Sequence, residues 1–197
     1  MQKQHGIVLK SFLSYSHKCV IFDREYGKID TIAVRDIEKL SPGFLIAYQQ
    51  KMRGRIYYLE NIELIETPLW LARDHIYFLH HILEVCYYCM PYECNNETAF
   101  SLLEILLHKP EQVKYSWFKK IFLLRLFNSL GMYPEDESVH TERIEQLLAQ
   151  SFFDEHELLD SHTHQVVNRW LRSCIAMHPY KDLFKTLAIG SDHVLYE

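Results

Sequence analysis

Cations interleaved with aromatic rings are the side chains in this sequence best suited to molecular recognition. Lys10, Lys18, Arg24, Lys28, Arg35, Lys39, Lys51, Arg53 and Arg55 are mixed with Phe12, Tyr15, Tyr26, Tyr48, Tyr57 and Tyr58. Such a mixture suits a single nucleic-acid strand, whose bases stack on rings while its phosphates follow the positive charge. Lys10, Arg24, Lys28, Arg35, Lys51, Arg53 and Arg55 are the expected DNA contacts. The competing reading makes the tyrosines half-buried strand residues and the charges a solvated surface.

Two further groupings imitate metal sites. Cys86 and Cys89 are three apart, with Cys94, His80 and His81 nearby, but Tyr87, Tyr88 and Met90 give them the surroundings of a packed helix. They read as reduced, buried thiols. Asp154, His156, Asp160, His162 and His164 form the second grouping. His162 and His164 are two apart and point to different faces of a helix, so this reads as an acidic, pH-sensitive helix start. No metal and no cofactor is expected. No P-loop, nucleophile elbow, zinc-protease motif or dinucleotide fingerprint occurs, so the expectation is a binding protein and not an enzyme.

The elements that must position these residues change character near Thr67-Pro68. Before that point the pattern has period two: Ile7 to Phe12, Cys19 to Phe22 and Ile29 to Val34, then Phe44 to Gln50 and Arg55 to Ile65 across an Arg53-Gly54 turn. Ile29, Thr31 and Ala33 should share one face, with Asp30, Ile32 and Val34 on the other. About five short strands in this span are what an OB-fold barrel needs. Afterwards the period is helical. Thr67 is the expected cap of a helix running to Met90, followed by helices at Glu97–His108, Glu111–Gly131, Thr141–Ser151, Ser161–Met177 and Tyr180–Ala188. The expected fold is therefore α+β: an OB-fold domain over 1–66 and a helical domain over 67–197.

Net charge is −5, but unevenly placed: residues 1–70 carry +2 and residues 71–197 carry −7. The barrel half is the one that tolerates a polyanion. No apolar run of about 18 residues is present, so no membrane partner is expected. The opening Met1–Gly6 lacks a signal-peptide pattern and the five cysteines are an odd count, which together suggest the cytoplasm.

Gly6-Ile-Val-Leu-Lys10 followed by Phe22-Asp-Arg-Glu-Tyr-Gly-Lys-Ile29 resembles the opening of the RecO family of recombination mediators, whose first hairpin reads F-T-R-E-H-G-K-I. Phe122 to Gly131 is similar to that family's helix ending in Leu-Gly. The resemblance covers most of residues 5–135 and, more weakly, 160–188. It implies an OB-fold and helical domain, binding of single- and double-stranded DNA, strand annealing and recombinase loading. It further implies RecR and the acidic C-terminal tail of single-strand-binding protein as partners. That tail would meet Lys119, Lys120, Arg125 and Lys181 on the helical domain. Lys119 and Lys120 are expected to reach solvent, and Arg125 either meets the partner or forms an internal salt bridge, for instance to Glu84 or Glu104. Three departures stand out. Met132–His140 has no cysteine where the family commonly carries a zinc-binding segment, Val34–Lys39 mixes charges where the family is basic, and the chain is shorter. The alternative reading is a barrel-plus-bundle adaptor that binds protein and no nucleic acid.

Overall fold

The structure is a computed structural model that describes residues 3–12, 17–54, 56–108, 110–134, 136, 139, 141–149, 160–176 and 178–186. Strands β1 (Gln4–Ser11), β2 (Lys18–Asp23), β3 (Gly27–Ala33), β4 (Leu45–Arg53) and β5 (Ile56–Glu66) close into a barrel in the order β1-β2-β3-β5-β4. All neighbours are antiparallel except β3 and β5, which pair in parallel. This is the expected OB-fold barrel, followed by helices.

Alternation builds its interior. Ile29, Thr31 and Ala33 are buried while Asp30 and Val34 are exposed and Ile32 is half-buried. Val8, Cys19, Ile21, Ile46, Tyr48, Leu59 and Ile62 complete the core. Register shifts between Val8 and Lys10, and twice where β4 meets β5, bend the strands enough to close the sheet.

The long helix expected after Thr67 is two helices, α1 (Leu69–Asp74) and α2 (Ile76–Cys89), broken at His75. Each piece turns its own stripe inward: Leu71 from α1, and Phe78, Leu79, Ile82, Val85 and Cys86 from α2. Thr67 is not the cap. Its amide is taken by the Glu66 carboxylate, and Pro68 holds the cap position without a side-chain bond. Helix α3 (Glu97–His108) has the expected bounds, and Asn96 accepts the Ala99 amide at its start.

The element type changes at Thr67-Pro68, whereas the chain separates into compact units at Pro110: Met1–Pro110 holds the barrel with α1–α3, and Glu111–Glu197 the rest. In the second unit the helix expected over Glu111–Gly131 begins with a 3-10 turn at Pro110–Lys114 and becomes α4 only at Ser116–Ser129. It ends as anticipated. Gly131 has φ +71°, its amide donates to the Asn128 carbonyl, and the Met132 amide reaches back to Phe127. Helices α5 (Glu142–Ala149) and α6 (Ser161–Ala176) pack on α4, which buries Phe118, Phe122, Leu123 and Phe127 and brings Phe127 to Trp170. Asp160 caps α6 by accepting the Thr163 amide at 2.6 Å. That bond holds the Asp160 carboxyl below its usual range. No described helix is long and apolar enough to cross a membrane.

Candidate nucleic-acid interface

Strand register assembles a row that crosses four strands of the barrel. Lys18 on β2 pairs with Ile32 on β3, Ile32 with Tyr58 on β5, and Tyr58 with Lys51 on β4. Residues directly opposite one another share a face of the sheet. The adjacent row, Cys19, Thr31 and Tyr57, faces the core, so Lys18, Ile32, Tyr58 and Lys51 face outward. Three strand spacings make the row about 14 Å long. Arg53 lies two residues beyond Lys51 and sets its guanidinium 5.4 Å from the centre of the Tyr58 ring. Arg35, exposed just beyond β3, adds a further cation. Lys51 is paired with Glu60, and the lysine side chain is half exposed.

The remaining expected DNA contacts lie elsewhere, so the structure divides that set. Lys10 points its ammonium at the rings of Phe12 and Tyr87, 5.1 and 4.5 Å away. Arg24 forks onto Glu97, reaches Glu104 and covers the ring of Phe100. Lys28 is buried and donates to the Tyr87 carbonyl at 2.7 Å, with burial pushing its pKa down. Arg55 lies outside the described residues. Tyr48, counted among the stacking rings, is fully buried and its hydroxyl donates a hydrogen bond to the Asp23 carboxylate. Burial pushes Asp23 up, against the opposing effect of hydrogen bonds from Tyr48 and from the amides of Tyr26 and Glu25.

Of the residues expected to meet a partner on the helical side, Lys181 is the exposed one. Lys120 does not reach solvent. It is 1% exposed, with its ammonium 3.3 Å from Nδ1 of His164, and burial lowers the pKa of both groups. The cause is its position on α4: Lys120 lies on the face that packs against α6, where His164 stands. Lys119 is half-buried, and desolvation lowers its pKa also. Arg125, half-buried, donates to the Leu147 carbonyl at 3.1 Å, while Glu104 is engaged by Arg24.

The thiols do not converge. Cys86 is buried, Cys89 half-buried and Cys94 exposed, and among the described residues no three His, Cys, Asp or Glu side chains are grouped to hold a metal ion. Residues 154–159 of the second metal-like grouping lie outside the described residues. Burial pushes Cys89 and Cys174 up to about 12, and Cys86 higher still. Since the thiolate is the reactive form, maleimide labelling of the native protein is expected to give one fast thiol, Cys94, and four slow ones. Rapid labelling of Cys86 would contradict the packing of α2.

The sequence lacks a signal for one of these arrangements and carries one for the other. Nothing in sequence order announces the Lys18-to-Lys51 row. Glu97 and Glu104, by contrast, are seven apart on one helix face with Phe100 between them, a ready receptor for an arginine.

The structure is thus an OB-fold barrel joined to helices, with an aromatic ring flanked by cations on the barrel's outer surface. No family model matches the chain. It is 24% identical over 120 residues to the DNA repair protein RecO of Francisella tularensis subsp. novicida, covering 56% of this chain and 50% of that protein. The chain thus spans about half the length of the curated relative it matches.

Proposed function

We propose that the protein is a RecO-like DNA-repair factor whose barrel binds single-stranded DNA along the row from Lys18 to Lys51. The observation that carries the reading is Tyr58 set between Lys18 and Lys51 on one outer face, with Arg53 over its ring. A base takes the place of the guanidinium on Tyr58, and Arg53, Lys51 and Lys18 follow the phosphates. Lys51 must leave Glu60 to do so, and an exposed pair of this kind is worth at most about 1 kcal/mol. Contacts of ring face and phosphate carry no base identity, so binding is indifferent to sequence.

Strand annealing, recombinase loading, double-stranded DNA, RecR and the acidic tail of single-strand-binding protein enter the proposal on the strength of the resemblance and of the likeness to the Francisella protein. A cytoplasmic setting and the absence of a catalytic step belong to the same reading. The test is a titration of the full chain with two unrelated labelled strands of about 30 nucleotides over a range of salt. Equal affinity for both is expected, with log K falling against log salt at a slope of about −2, as three phosphate contacts require. Absence of binding at low salt would sink the proposal and favour the protein-binding adaptor.

A further inference from the structure

The segment Phe22–Lys28, part of the stretch that resembles the RecO family, touches the last turn of α2, the connection after it and one face of α3. Lys28 places its ammonium 2.7 Å from the Tyr87 carbonyl, in the last turn of α2, where unpaired carbonyls and the helix dipole favour a cation. The connection between the helices is met next. The Glu93 amide donates to the Lys28 carbonyl at 2.9 Å, Tyr92 bridges to Lys28, and the Lys28 ammonium lies 4.3 Å from the Tyr92 ring centre.

Gly27 then lets the two backbones approach so closely that a Cβ there would stand 2.0 Å from the Cys94 carbonyl oxygen. Arg24 grips α3: Nε and Nη2 lie 3.0 and 2.8 Å from Glu97 Oε1, Nη1 lies 3.3 Å from Glu104, and the guanidinium covers Phe100. Phe22 meets the same ring edge-on at 5.2 Å. Asp23 fixes the turn that presents Arg24, taking the amides of Glu25 and Tyr26 at 2.7 Å and the Tyr48 hydroxyl.

We infer that the β2–β3 hairpin is an internal clasp that positions α2 and α3 on the barrel, and that Arg24 and Lys28 take no part in binding nucleic acid. A phosphate at Arg24 would have to displace both Glu97, held by the fork, and Glu104, held by Nη1, and at Lys28 it would have to enter a buried helix end. The clasp stands whether or not the barrel binds DNA.

The experiment compares Arg24→Gln, Arg24→Lys and Lys28→Met with the parent in the full chain. The readouts are melting temperature, protease cleavage between residues 90 and 96, and affinity for the labelled strand. The clasp predicts that each variant melts ~5 °C lower. Cleavage of the connection is expected to be about tenfold faster, because docking of α2 and α3 on the barrel is what protects it. Strand affinity is expected to stay within about twofold of the parent. Arg24→Lys keeps the charge but loses the fork, so it is expected to fail as Arg24→Gln does. Glu97→Gln combined with Arg24→Gln should cost little more than either alone. If affinity falls while melting and cleavage are unchanged, or if Arg24→Lys behaves like the parent in all three, the clasp is wrong. Should the parent bind no strand, melting and cleavage still decide the matter.

Discussion

Replacing Gly27 with alanine is expected to destabilise the protein by roughly 4 kcal/mol or more, the range reserved for backbone strain joined to a steric clash. Two costs coincide at this residue. Its φ of +76° lies in the left-handed region, which costs an ordinary residue about 1–2 kcal/mol. The added Cβ also meets the carbonyl oxygen and carbon of Cys94 at 2.0 and 2.5 Å. Those are backbone atoms and cannot rotate away, so the connection between α2 and α3 must move and the bonds from Glu93 and Lys28 must break. Gly131 is the matched control. Its φ is +71°, but nothing lies within 4 Å of its added Cβ, so Gly131→Ala should cost only the strain of about 1–2 kcal/mol. Urea unfolding of the two variants measures the difference. Equal losses would mean that the barrel and the connection do not press together at Gly27.

How much of this was legible in sequence depends on how far apart the interacting residues lie. The alternation of Ile29, Thr31 and Ala33 with Asp30, Ile32 and Val34 is a local pattern that predicts a strand with these two faces, and the structure buries the first of them. The Gly131 stop of α4 is equally local. Tyr48 is buried although a tyrosine in a strand suits either face, because barrel closure decides which face is inside. Arg24 and Lys28 flank a polar turn and so look like surface cations. Their partners lie 59 to 80 residues away, and no periodicity connects them. Lys120 differs for the opposite reason: α4 shows no single apolar stripe, so its sequence gives no sign of which of its cations points inward. The break at His75 has neither Gly nor Pro to mark it. The candidate row required the register of four strands, one pair of them parallel, and register is a tertiary fact.

Charge reversal across that row is the second large effect expected. Lys18→Glu, Lys51→Glu and Arg53→Glu together replace three attractive contacts with three repulsive ones, and strand affinity should fall by ~100-fold or more at low salt. The fold should survive. Lys18 and Arg53 are exposed, and the Lys51–Glu60 pair that is lost lies at the surface. Tyr58→Ala should act differently, since removing a stacking ring costs about 1–3 kcal/mol of binding while leaving the salt dependence as it was. The pair of variants therefore separates the electrostatic part of the site from its stacking part.

Binding of DNA along the Lys18-to-Lys51 row is tested by the salt dependence of strand affinity in the parent and the triple variant, each checked for an unchanged melting temperature. A log–log slope of about −2 is expected for the parent, and a slope near zero with residual affinity for the variant. A triple variant that folds, binds as tightly as the parent and keeps the same slope would contradict it, and would place any DNA contact away from the Lys18-to-Lys51 row.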